Sequence, residues 1–258
     1  MVPVELLLAV ILGGLVGSFL NVVILRLPAE GESIVFPGSH CPNCNEPIRW
    51  YDNVPVLSFL ALAGKCRHCR QTISWQYPLV ELIMALLSLA LVLHFGLTPL
   101  FFIYFLFCAA LLAIIFIDYY HQIIPDLISL PGIVVGFAFS FINPLLGWQD
   151  SLIGIVCGYG FFYAIAYTYY LLTKRAGMGG GDIKLLGMIG AFLGWRSLPF
   201  VIFSSALIGS LIGIGAMIKQ KKGGKTMIPY GPFLALGSYL YLFFQEEIIT
   251  FTVNYYLQ

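Results

Sequence analysis

Eight long apolar stretches constrain this chain more than any other feature: residues 4–25, 78–95, 99–117, 127–146, 151–173, 183–195, 198–218 and 228–244. A helix needs about 20 apolar residues to cross the hydrocarbon core of a bilayer. All but the sixth stretch come close to that length. The first lacks a basic N-terminal segment and an Ala-x-Ala cleavage site, so it reads as a true span. The sixth, 183–195, reads as a tilted or partly inserted helix, or merges with the seventh through Arg196-Ser197, lowering the count to seven or six. Composition agrees, with 60% hydrophobic and 10% charged residues, against about 45–50% and about 25% in a soluble domain. Disorder is excluded because it requires low hydrophobicity and high net charge. The predicted class is an all-α polytopic membrane protein of about eight transmembrane helices.

In so apolar a chain, each charge carries information. With eight spans, Arg26, Arg49, Lys65, Arg67, Arg70, Lys174, Arg175, Lys184, Lys219, Lys221, Lys222 and Lys225 fall on one side of the bilayer, and only Arg196 on the other. Basic loops stay cytoplasmic, so both termini are expected outside and the long polar stretch after the first span inside. The net charge of +1 gives no basic field for nucleic acid. Three segments result: a first helix at 1–25, a cytosolic loop at 26–77, and a membrane domain at 78–258.

The loop holds Cys41-Pro42-Asn43-Cys44 and Cys66-Arg67-His68-Cys69. Two such turns present four thiolates, the tetrahedral donor set that Zn²⁺ prefers. A reducing cytosol favours metal over disulfides; a redox dithiol is the competing reading. Four cysteines close the coordination sphere, so the zinc is structural, because catalysis needs an open position. Cys108 and Cys157 lie in spans and read as small buried hydrophobes.

Glu81, Asp118, Asp126 and Asp182 lie within spans or at their cytosolic ends, where carboxylates are costly. Asp126 follows Pro125 and can N-cap the fourth span. Asp118 ends the third span, where the helix dipole disfavours an anion, so it has no capping role. Asp182 follows Gly179-Gly180-Gly181, whose torsional freedom lets the chain bend sharply and present the carboxylate; N-capping of the sixth span is its other reading. Two neighbouring aspartates share a proton, one then acting as base and the other as acid. Glu81 can pair with a loop arginine or snorkel to the interface. Gly17, Ser18 and Asn21 can pack the first span against a neighbour.

These features together resemble the type IV prepilin leader peptidases. The likeness runs from Gly17-Ser18-Phe19-Leu20-Asn21-Val22-Val23 and Arg26-Leu27-Pro28 through the two cysteine pairs, Tyr51-Asp52-Asn53-Val54-Pro55 and Pro78-Leu79-Val80-Glu81. It continues through the 118–126 stretch, Gly-Met-Gly-Gly-Gly-Asp at 177–182, and Pro229-Tyr230-Gly231-Pro232-Phe233. The resemblance implies a bacterial inner-membrane GxGD aspartic protease. Its motif maps onto Gly179, Gly181 and Asp182, its catalytic pair onto Asp118 and Asp182, and Asp126 supports the catalytic loop. The substrates implied are single-span prepilins and type II secretion pseudopilins, cut after a Gly at the cytosolic interface. Many such enzymes also N-methylate the new terminus with S-adenosylmethionine, and the zinc loop belongs to those bifunctional members. By resemblance, Gly17, Asn21 and Glu81 are methyltransferase candidates.

Other functions fit less well. A peptidase without methyl transfer is the nearest alternative. An ion-coupled transporter would place its acids at the midplane on broken, repeated helices. A scaffold that binds a partner through the loop would leave both aspartates dispensable. A zinc metalloprotease would need an HExxH helix, which is absent.

Overall fold

A computed structural model describes residues 4–29, 31–174, 179–220 and 229–256. Arg175, Gly177, Met178, Lys221, Lys222, Lys225 and Ile228, all used in the sequence reading, lie outside the described residues. The described chain is all α, with two isolated bridge pairs and no strand. Among the described residues, five helical segments are long and apolar enough to cross a membrane: Val4–Arg26, Gln76–Phe95, Pro99–His121, Trp148–Thr173 and Trp195–Gly215. The chain folds as two compact units, Met1–Ala113 and Ile114–Gln258.

In the first unit, α1 (Val4–Arg26) packs along α3 (Gln76–Phe95), while the short α2 (Leu57–Ala61) belongs to the loop between them. Small residues set the approach. A Cβ on Gly13 would lie 2.7 Å from Ala85 Cα, Met84 O and Ser88 Cβ, and one on Gly17 would lie 2.7 Å from Glu81 Cα. Polar groups then join the helices where lipid offers them no partner. Ser88 Oγ donates to Ala9 O (2.7 Å), and Asn21 Nδ2 donates to Tyr77 O (3.1 Å) and Gly17 O (3.3 Å). Gly96, at φ +63°, closes α3, and Phe95 stacks on Tyr104 of α4 (Pro99–His121).

In the second unit, α4 ends and α5 (Asp126–Ser140), α6 (Trp148–Thr173), α7 (Gly180–Leu193), α8 (Leu198–Gln220), α9 (Gly231–Phe243) and α10 (Gln245–Tyr256) follow. α7 is apolar all round and buried from Leu185 to Leu193, as a helix enclosed by others must be. Glycines admit it. Gly154 and Gly158 of α6 press on the Gly190 and Leu186 carbonyls, and Gly136 of α5 faces Ala191 and Phe192. Ser151 Oγ donates to Ala191 O at 2.8 Å. Gly194, at φ +75°, ends α7 where a Cβ would meet Leu146.

Two boundaries differ from the sequence reading. The stretch 127–146 gives a helix only to Ser140, because Asn143 Oδ1 takes the Leu145 N–H (2.9 Å) across Pro144 in a turn that the apolar composition conceals. Nothing was expected after 244, yet α10 forms beyond a break at Phe244. At 14 residues, α7 rises about 21 Å, short of the roughly 30 Å hydrocarbon thickness.

Candidate active site

Asp118 sits in the last turn of α4, 5% exposed, among the buried Ile114, Ile117 and Ile124. Gln122, at φ +55°, closes that turn by donating its N–H to Asp118 O at 2.9 Å. The side chain turns instead toward the start of α9, where the Gly231 N–H donates to Asp118 Oδ2 at 3.0 Å. A Cβ on residue 231 would lie 2.7 Å from that same oxygen and 3.1 Å from Ile124 Cδ1, so a larger residue there would have to push the Asp118 carboxylate aside. Gly231 was not a candidate in the sequence reading. Its contact is through the backbone, so the sequence signalled it only as a glycine ahead of Pro232 and as part of the Pro229–Phe233 stretch that carries the family resemblance.

Asp182 lies half-buried in the first turn of α7. It is not the N-cap: that position is Gly179, in extended conformation at φ −67°. The expected use of the glycines is also corrected. Gly179, Gly180 and Gly181 are absent from the positive-φ residues, and what Gly181 provides is space. A Cβ on Gly181 would lie 2.8 Å from Ile124 Cβ, whereas one on Gly179 would make only an ordinary 3.5 Å contact with the Asp182 carboxylate. Ile124 is thus the shared neighbour of Gly181 and Gly231, and Asp182 lies close enough to Asp118 to feel its charge. Tyr230, whose hydroxyl shares a 2.7 Å hydrogen bond with Ser205, also feels the Asp182 charge.

Asp126 does not cap α5 either; Pro125 holds the cap position and Asp126 is the first helical residue. Its carboxylate takes both bonds from Lys184 Nζ, at 2.7 and 2.8 Å. Lys184 is two residues beyond Asp182, so this pair ties α5 to the turn that carries Asp182.

In the first unit, the four loop cysteines converge, their Sγ atoms all within 4.8 Å of one another and Cys41 to Cys69 at 3.8 Å. Tetrahedral Zn–S bonds of about 2.3 Å place sulfurs about 3.8 Å apart, so the donor set and its spacing fit one zinc ion. The two turns share one hydrogen-bond pattern. Cys41 N–H donates to Glu46 O and Asn45 N–H to Cys41 O; Cys66 N–H donates to Gln71 O and Arg70 N–H to Cys66 O. Asn45 and Arg70 both adopt positive φ. The backbone N–H groups of Cys69 and His68 bring the Cys66 thiol down to about 6. The Glu46 N–H favours the Cys44 thiolate, but desolvation and the neighbouring sulfurs push Cys44 up to about 11. Four thiols this close cannot all ionise without a cation among them. Cys108 is buried as expected, whereas Cys157 is exposed on α6.

Glu81 neither pairs with an arginine nor snorkels. It is 8% exposed, and its Oε2 accepts the Val56 N–H at 2.8 Å. Val56 sits at φ +60°, a strained position for a β-branched residue. Asn21 is 1% exposed with its Oδ1 unsatisfied. Gly17 uses its lack of a side chain to let Glu81 approach α1.

Residues 11–95 match the model of the bacterial peptidase A24 N-terminal domain, and residues 105–214 that of the type IV leader peptidase family. The chain is 38% identical to the prepilin leader peptidase/N-methyltransferase of Pseudomonas aeruginosa, covering 94% of this chain and 91% of that protein. The protein of the same name from Stutzerimonas stutzeri is 39% identical with the same coverage, and that of Aeromonas hydrophila is 36% identical, covering 94% and 92%. No solved structure matches.

Proposed function

The chain belongs to the type IV leader peptidase family, and from that premise we infer that it cuts its substrates with Asp118 and Asp182. Its activity is cleavage of prepilin leaders together with N-methylation. The observation that carries the catalytic assignment is a buried Asp118 whose charge reaches the half-buried Asp182 on α7. Carboxylates so placed hold one proton between them. The ionised member takes a proton from water as that water attacks the scissile carbonyl. The protonated member gives its proton to the departing amine as the peptide bond breaks. The Asp126–Lys184 pair steadies the Asp182 turn.

The substrates are single-span prepilins or pseudopilins whose basic leaders lie on the cytosolic side of the inner membrane. The distribution of Lys and Arg favours the same side for the 26–77 loop and the span ends bearing both aspartates. Cys41, Cys44, Cys66 and Cys69 hold a structural zinc ion that keeps the loop in shape. S-adenosylmethionine, when bound, supplies the methyl group for the amine that cleavage frees. Asn21 and Glu81 offer it hydrogen-bond acceptors, and Gly17 sets the helix approach that brings those two together.

Incubation of the reconstituted chain with a prepilin and isotope-labelled S-adenosylmethionine, followed by mass spectrometry of the mature N-terminus, tests this reading. A shortened pilin with one labelled methyl is expected. An intact prepilin would overturn the peptidase reading, and a cleaved but unlabelled terminus would overturn methyl transfer alone.

A further inference from the structure

Asp118 and Asp182 are the same kind of group, yet their surroundings differ in a way that divides their labour. Asp118 ends α4, where the dipole opposes a negative charge, and it is the more buried of the two. Alone, it would be the poorer site for the anion. Its surroundings reverse that disadvantage. The Gly231 N–H points at its Oδ2 from the first residue of α9 (3.0 Å), and the N-terminus of that 13-residue helix favours an anion. A hydrogen bond donated to a carboxylate stabilises its charged form. Asp182 stands in the first turn of α7, whose N-terminus also favours an anion, so the helix ends offset one another and the direct amide hydrogen bond to Asp118 is what distinguishes the two. The nearest cation in sequence, Lys184, is held by Asp126.

We propose that Gly231 is the positioning residue that polarises the pair, its amide holding Asp118 as the ionised member so that Asp182 carries the shared proton. Asp118 is then the base that activates water, and Asp182 the acid that protonates the departing amine. This assignment rests on the reading of Asp118 and Asp182 as the catalytic pair. It explains why residue 231 is glycine. The amide must come within 3.0 Å of the carboxylate, and any Cβ there would press on the oxygen it serves. Among the described residues, the titratable groups around Asp118 are Asp182 on α7, which feels its charge, and Tyr230, which precedes Gly231 and feels the charge of Asp182.

The protonation state can be read chemically. A small aryl epoxide is opened by an ionised carboxylate: the carboxylate oxygen bonds to the epoxide carbon, the ring C–O bond breaks, and the alkoxide takes a proton from the neighbouring acid. Reconstituted full-length chain treated with such an epoxide and mapped by peptide mass spectrometry is expected to carry its adduct on Asp118. Gly231→Ala should spread the adduct over both aspartates. It should also lower kcat with little change in KM, and move the ascending limb of the kcat/KM pH profile upward by about one to two units, the equivalent of one charge-assisted hydrogen bond. Gly237→Ala is the packing control. From the same helix as Gly231 it crowds Ser204 Oγ of α8 at 2.7 Å and should leave that limb in place. If Gly231→Ala fails to fold, replacing residue 231 by glycolate, which exchanges the amide N–H for an ester oxygen without adding a Cβ, makes the same comparison. An adduct on Asp182 in the wild type, or an unmoved limb in the folded variant, overturns the assignment while leaving the pair intact. No adduct on either aspartate in an active enzyme overturns the pair itself, and the assignment with it.

Discussion

Lys184 grips both carboxylate oxygens of Asp126, at 2.7 and 2.8 Å, from a position two residues past Asp182. The Asp126 side chain is 57% exposed and that of Lys184 28%, so the pair contributes only about 0–1 kcal/mol to stability. Its expected value to the enzyme is positional. Lys184→Met should leave the melting temperature nearly unchanged while lowering kcat, up to about a hundredfold if the Asp182 turn moves by an ångström. The exchanged pair Asp126→Lys with Lys184→Asp should recover part of the loss. Full activity in Lys184→Met would show that the ion pair does not position the turn.

The contact of α1 with α3 depends on absent side chains. Gly17→Leu forces atoms into Glu81 Cα and Val80 O, and overpacking of this kind typically costs about 1–3 kcal/mol. The expected result is a lower thermal midpoint in detergent for Gly13→Leu and Gly17→Leu, set against no change for Gly160→Leu, where nothing lies within 4 Å of an added Cβ. Equal loss in all three would mean that glycine content itself, not this interface, governs stability.

Metal analysis should find about one zinc per chain. Cys41→Ser with Cys44→Ser should abolish that zinc and the methylation of a cleaved pilin, with most leader cleavage retained. Methylation at wild-type rate without metal would separate the loop from methyl transfer.

Asp52 adds a pH dependence to the loop. Bidentate hydrogen bonds from Arg67, at 2.6 and 2.8 Å, hold its carboxyl below the ordinary carboxylate value. A depressed group contributes stability that is present above its unfolded value, near about 4, and lost as pH falls through its folded one. Zinc release to a chelator should therefore be faster in Asp52→Asn than in wild type at neutral pH. Equal release rates in the two proteins at neutral pH would show that this ion pair does not hold the loop.

Much of the fold was legible because lipid leaves few choices: long apolar runs became helices, and two Cys-x-x-Cys turns closed into one cluster. The two turns also repeat each other's backbone pattern, which their differing sequences hid. Asp118 was legible as a charge with no local use. The roles of Gly231, Lys184 and Val56 were not, because each depends on which helices meet. An amide at the head of α9 or a lysine on α7 has no fixed partner until α4, α5, α7 and α9 are packed. Asp126 and Asp182 looked like caps for the same reason: local sequence favours the local explanation, and Pro125 and Gly179 took those positions instead.

The central claim is that Asp118 and Asp182 carry out the cleavage. Reconstituted Asp118→Ala, Asp182→Ala and Asp126→Ala, expressed at wild-type levels and given a prepilin, test it directly by the rate at which the leader is released. The first two should show no cleavage above background, and Asp126→Ala should keep measurable activity. Normal cleavage by either of the first two, or loss only in Asp126→Ala, would contradict the pair.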